Sequence, residues 1–138
     1  MSRDLQHAAE IAAGAAEAAR GEVLSRFRRV GFETKADGSP VTEADRAAER
    51  VIRDRLERAF PDIPVLGEEF GGEARGDCYW IVDPIDGTLS FTRGIPLFGT
   101  LIALVEGGRS QVGVIDLPAL GERVVGYRGG GVTRNGER

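Results

Sequence analysis

Residues that could serve as a thiolate nucleophile, an imidazole base or a soft metal ligand are scarce in this 138-residue chain, which holds one cysteine, Cys78, and one histidine, His7. A single cysteine cannot close an intrachain disulfide, so a reducing compartment is implied and the cytoplasm is the expected location. With no histidine in a matching context, Cys78 reads as a small strand residue and not as an activated thiolate. Long apolar runs are missing too. The alanine-rich N-terminus is interrupted by Glu10, Glu17 and Arg20, and neither a signal peptide nor a membrane span is expected. A basic excess is the third absence. The chain has 22 acidic and 18 basic residues for a net charge of −4, and no segment gathers the cations that a phosphate backbone requires. Nucleic acid is therefore not an expected partner. The densest basic run, Arg26-Phe27-Arg28-Arg29, falls near the end of a predicted helix, where cations complement the dipole. Lys35 is the only lysine among the 18 basic residues, kept either for chemistry that arginine does not supply or simply on a solvated loop.

What is present is the composition of a globular domain, 41% apolar and 29% charged, in a length that suits one domain or one lobe of something larger. Leu5, Ala8, Ala9, Ala12, Ala16, Ala19, Val23 and Phe27 recur at helical spacing and predict a helix over 4–29, closed by Gly31. The stretch TKADGSP (34–40) reads as a loop. Thr42-Glu43-Ala44-Asp45 is then a capping-box-like start to a second helix, whose apolar face is traced by Ala44, Ala47, Ala48, Val51, Ile52, Leu56 and Ala59 down to Phe60-Pro61. Capping alone would account for Asp45. It also lies in line with Ala48 and Ile52, so its carboxylate leans toward the buried face, onto which Arg55 intrudes as well. From residue 64 the period changes to short apolar runs: Val65-Leu66, Tyr79 to Val82, Leu97 to Val105, Gln111 to Ile115 and Arg123 to Tyr127. Glu106-Gly107-Gly108, Pro118 to Gly121 and Asn135-Gly136 suit turns between antiparallel neighbours, and Gly129-Gly130-Gly131 reads as another turn. The expected fold class is α+β, two N-terminal helices packed on a largely antiparallel sheet.

Acidic residues collect at the ends of these strands. Glu68-Glu69 closes VLGEE, and Asp83 closes the run Trp80-Ile81-Val82 before Pro84 and Asp86-Gly87. Each has an ordinary alternative: a solvated turn for GEE, and for DPIDGT a turn whose Asp86 caps the next short helix. Taken together they demand more. Two carboxylates about 4 Å apart repel by ~4 kcal/mol at an effective dielectric near 20, a large share of a domain's net stability. A cation would relieve that repulsion, and oxygen ligands without a Cys or His cluster suit magnesium better than zinc. Pro84 restrains the backbone after Asp83 so that the Ile85 carbonyl could face the ion and Asp86 return to the same side. Gly87-Thr88 would start a short helix whose amides can hold a phosphate, open to attack by an activated water without a phosphoenzyme nucleophile.

The segments SPVTEAD (39–45), GEE (67–69) and WIVDPIDGT (80–88) resemble, in order and spacing, the magnesium-dependent, lithium-sensitive phosphatases of the inositol monophosphatase superfamily. DGTLSFTRGIPLFGTLIALVEGG followed by GVIDLPALGER is most similar to the histidinol-phosphate phosphatase branch, since inositol phosphatases usually carry Asn where Ser90 stands. The resemblance implies the N-terminal lobe of an αβαβα sandwich. It implies Glu68, Asp83 and the Ile85 carbonyl as ligands of a first Mg2+, with Asp83 shared by a second ion that also takes Asp86. Thr88 would orient the attacking water with Asp45 behind it, the Gly87 and Thr88 amides would hold phosphate, and Lys35 would sit on a loop closing over a third ion. The substrate implied is a small phosphorylated alcohol: histidinol phosphate in histidine biosynthesis, or alternatively inositol monophosphate. When full length, the family implies a homodimer. Its members take a further metal-binding aspartate from a WD motif in a second half, and this chain stops at GVTRNGER before such a half. A non-catalytic metal- or phosphate-binding lobe and a purely structural domain are the remaining alternatives.

Overall fold

The computed structural model describes residues 4–29, 33–34, 40–74 and 76–138. Helix α1, Leu5–Leu24, starts where the Asp4 side chain accepts a hydrogen bond from the His7 amide, an N-cap that satisfies one of the donors a helix start leaves over. Its small residues Ala8, Ala12, Ala15, Ala16 and Ala19 are completely buried, which allows the close approach of α2, Glu43–Ala59. The helix is shorter than its periodicity predicts. It stops at Leu24 because the chain turns at 25–29, where Arg28 adopts a left-handed φ of 65° and donates from Nε and Nη2 to the Gly94 carbonyl at 3.1 and 2.9 Å. The run 26–29 thus lies beyond the last helical turn; Arg26 reaches back to donate to the Glu22 carbonyl at 3.0 Å and to its carboxylate, complementing the helix end, whereas Arg28 turns to Gly94.

Six strands form one sheet in the order β3-β4-β5-β6-β7-β8: Val65–Gly67, Cys78–Asp86, Gly99–Glu106, Arg109–Leu117, Glu122–Tyr127 and Gly131–Arg134. All neighbours are antiparallel except β3 and β4, which run parallel. A separate antiparallel pair, β1 (Glu33–Thr34) with β2 (Pro40–Val41), precedes α2. The helices cover one face of the sheet, α2 over β4 and α1 over β6 and β7. Trp80, Val82, Ile102, Leu104, Val112 and Val114 meet them in a closed core. The opposite face carries apolar residues in the open: Ile81 and Ile115 keep 44% and 48% of their surface. Among the described residues no helix is long and apolar enough to cross a membrane.

The α2 face differs from its prediction at Glu49, Val51, Arg55 and Ala59, the last of which is only partly buried. Glu49 is fully buried, whereas Val51 is only partly so. Arg55 points into solvent and leaves the buried line to Asp45, Ala48, Ile52 and Leu56.

Candidate metal and phosphate site

Parallel pairing of β3 with β4 sets the first relationship in the site. Gly67 is opposite Val82, and the Glu68 amide donates to the Val82 carbonyl at 3.1 Å, so Glu68 leaves β3 beside Asp83. Pro84 then disrupts the ladder. Asp83 pairs with Leu101 and Asp86 with Gly99, three residues against two, so the bulge adds one residue on β4. In an unbroken strand Asp83 and Asp86 would face opposite ways; the extra residue returns them to the same face. The buried Thr100 hydroxyl holds the bulge by donating to the Pro84 carbonyl at 2.8 Å.

The electrostatics of this corner are one-sided. Burial pushes the Asp83 carboxyl up to about 6, with further upward pressure from Glu68, Asp86, Asp45 and Glu69. No described Lys or Arg bonds to Asp83 or Asp86, and that crowding of negative charge is what a cation would neutralise. Among the described residues no group of three His, Cys, Asp or Glu is close enough together to hold a metal ion as it stands. Glu68 and Asp86 are exposed, however, and side-chain rotation with water or substrate oxygens can complete a shell around a hard ion. The all-oxygen donor set and the negative charge gathered around half-buried Asp83 fit a divalent cation.

Across the corner, the single-turn helix α3, Thr88–Thr92, begins after Gly87, whose φ of 89° suits glycine. The first amides of a helix have no intrahelical acceptor, which leaves the Gly87-Thr88 start suited to an anion. The Thr88 hydroxyl lies 3.0 Å from Asp45 Oδ1 and 3.0 Å from the Ile85 carbonyl. Asp45 does both things its sequence position allowed. Its Oδ2 accepts from the Thr42 amide at 2.9 Å and hydroxyl at 2.6 Å, completing the capping box, while Oδ1 serves Thr88. Lys35 lies outside the described residues.

Three contributors are not predicted from sequence. Thr100 looks like an ordinary strand threonine until its carbonyl partner is known. Glu49 and Arg53 look like a solvated i,i+4 pair, yet the Glu49 carboxylate is enclosed by the loop after β3, accepting from the Glu69 and Phe70 amides at 2.7 and 2.9 Å.

The family model for inositol monophosphatases matches residues 2–138. The chain belongs to the inositol monophosphatase family. Members of the family are metal-dependent, in keeping with the acidic corner. Over 139 residues the chain is 47% identical to a histidinol-phosphatase of Chlorobaculum parvum, covering 99% of this chain and 52% of that protein. It is 46% identical over 118 residues to a fructose-1,6-bisphosphatase/inositol-1-monophosphatase of Thermotoga maritima, covering 86% of this chain and 44% of the other. A solved IMPase of Thermotoga maritima superposes with a TM-score of 0.85 at 37% identity, over 97% of this chain and 52% of that one. The chain thus spans about half the length of the relatives it matches, and its α+β architecture is that of the family's N-terminal lobe.

Proposed function

We propose that the chain is the metal- and phosphate-binding lobe of a magnesium-dependent phosphomonoesterase that hydrolyses histidinol phosphate, in histidine biosynthesis in the cytoplasm. What supports this reading is the acidic corner: the Glu68 amide bonds to the Val82 carbonyl next to Asp83, and the β4 bulge turns Asp83 and Asp86 to one face, near the Thr88–Asp45 hydrogen bond. Glu68, Asp83, Asp86 and the Ile85 carbonyl are the groups that would hold Mg2+. When bound, the ion supplies positive charge to phosphoryl oxygens and acidifies neighbouring water, which suits one of the slowest bonds to hydrolyse unaided.

The chain's own residues have separate tasks. The amides of Gly87 and Thr88 bind the phosphate, and the Thr88 hydroxyl orients the attacking water. As that water gives a proton to the Thr88 oxygen, the Thr88 proton passes to Asp45 Oδ1, and the 3.0 Å contact supports this relay. Asp45 keeps this oxygen for Thr88 because its other one is occupied by Thr42. The sheet face bearing Ile81 and Ile115 is the surface on which the second half found in the relatives would pack, bringing the remaining metal ligand and most of the alcohol pocket.

Histidinol phosphate is preferred because the relative matched over 99% of the chain is named for it. Inositol monophosphate is the second reading, favoured by the 46% identity to the Thermotoga maritima enzyme. A binding lobe without turnover is the third, favoured by the half-length match. The test is phosphate release from histidinol phosphate, inositol 1-phosphate and fructose 1,6-bisphosphate during Mg2+ titration, by this chain alone and joined to the second half of the Chlorobaculum relative. Fastest release from histidinol phosphate by the joined protein, lost in Asp83→Asn, is expected. Release that persists in Asp83→Asn overturns the assignment, and Mg2+ binding without release in either form selects the binding lobe.

A further inference from the structure

The least expected group in the molecule is the Glu49 carboxylate, fully buried on a helix that is otherwise charged wherever it meets water. A buried carboxylate persists only when it is paired and hydrogen-bonded. Glu49 is both. Arg53, one turn on, donates from Nε to Oε2 at 3.0 Å, and the Glu69 and Phe70 amides donate to Oε1 and Oε2. Arg53 also reaches past Glu49 to the carbonyls of Val65, at the start of β3, and Gly71, at the far end of the same loop. That loop closes on itself through Gly67 and Gly71, whose amides and carbonyls exchange hydrogen bonds at 2.9 and 3.0 Å. A Cβ at Gly67 would overlap the Glu49 carboxylate, so the glycine permits the approach.

Glu68 lies inside this enclosure. The amide before its Cα is tied to the Val82 carbonyl and the amide after it, that of Glu69, is tied to Glu49. Pinning both flanking peptides fixes the direction in which the Glu68 side chain leaves the backbone. Asp45, the partner of Thr88, is one helical turn before Glu49 on the same buried face of α2. One rigid helix therefore braces both sides of the site.

We propose that Glu49, clamped by Arg53, is a positioning residue that sets Glu68 beside Asp83 for metal binding. The role rests on the metal-centre reading above and acts only through Glu68. Outer partners of metal ligands commonly contribute tenfold to a hundredfold in affinity. The probe is Mn2+ alone, as a paramagnetic stand-in for Mg2+, titrated into the 138-residue chain and followed by electron paramagnetic resonance. Glu49→Gln keeps the shape but offers an N–H group to donors, and it should weaken Mn2+ binding by roughly tenfold. In a Glu68→Gln background the same change should cost almost nothing more, because the residue through which it acts is already gone. Arg53→Gln, at a partly exposed position, is the milder second variant and should show the same loss and the same non-additivity. Exchange of the Glu69 and Phe70 amide hydrogens should accelerate in both variants while circular dichroism melts remain cooperative. Equal losses in the two backgrounds overturn the positioning role and leave the metal centre intact. Failure of the unsubstituted chain to bind Mn2+ overturns the metal-centre reading and the role of Glu49 with it.

Discussion

Asp45 and Thr88, 43 positions apart in sequence, share a 3.0 Å hydrogen bond that joins the first turn of α2 to the start of α3. Because Asp45 also caps its own helix, its two roles separate by size. Loss of the cap costs about 1 kcal/mol, whereas loss of a proton relay costs roughly 10²–10⁴ in rate. Asp45→Asn is expected to lower the stability of this chain by about 1–2 kcal/mol in urea denaturation. In the joined protein it is expected to lower phosphate release by at least a hundredfold at saturating substrate. Thr88→Ser, which retains the hydroxyl, should keep most of the rate that Thr88→Ala loses. Equal rates for the two Thr88 variants would exclude the relay.

Asp83 ties stability to pH in the metal-free chain. Its folded value of about 6 lies above its ordinary 3.8, so between those limits the folded state binds more protons than the unfolded one. Stability should therefore fall as pH rises from about 4 through about 6, by on the order of 1 kcal/mol once solvent screening of this half-buried group is allowed for. Urea midpoints across that window should show the fall, and Asp83→Asn should flatten it. Saturating Mg2+ should also reverse the decline above pH 6, since a bound cation stabilises the ionised carboxylate. A flat wild-type profile would contradict the proposed crowding.

Much of the site is legible because its parts are local in sequence. WIVDPIDGT contains the strand, the bulge-forming proline, both aspartates of the corner and the helix start within nine residues, so the corner follows from neighbouring letters. Asp45 was readable from its place on the helical wheel, and the structure keeps both of its readings. Glu49 was not, because a glutamate on an amphipathic helix looks solvated until the loop 20 positions away presents its amides. The early end of α1 escaped for the same kind of reason. Phe27 preserves the apolar period and packs on Phe91 and Phe98, but a distant carbonyl at Gly94 draws Arg28 out of helical geometry. Local pattern reports what a segment can do; the contact made far along the chain decides where it stops.

Gly67 is the narrowest point of the enclosure around Glu49. Ala at this position needs the buried carboxylate or the β3 backbone to move, and overpacking of that kind costs about 1–3 kcal/mol. Gly113 on β6 supplies the control, having nothing within 4 Å of a built Cβ and no left-handed φ. Gly113→Ala is expected to be neutral or slightly stabilising through the unfolded state, while Gly67→Ala is destabilising. Thermal melts of the two single variants decide it, and similar midpoints would show that the Glu49 enclosure is looser than its geometry.

Asp116 offers a test of stability separate from the site. It is completely buried on β6 and accepts from Arg20 Nε at 3.2 Å and Arg123 Nε at 3.0 Å, fastening α1 to β6 and β7. Arg123 also reaches Glu17 on α1. Replacing the carboxylate leaves two guanidinium groups, only about one-fifth exposed at 22% and 18%, with the exposed Glu17 as their remaining acidic partner. Removing one partner of a buried ion pair costs about 3–5 kcal/mol, and partial solvent access to both arginines brings the expectation toward the lower end. Asp116→Ala should thus shift the urea midpoint more than Asp45→Asn does. Below that midpoint its Mn2+ affinity should match the unsubstituted chain, because neither arginine touches the acidic corner. A weakened affinity in folded Asp116→Ala would mean that the α1–β6 junction and the acidic corner are energetically coupled through the sheet.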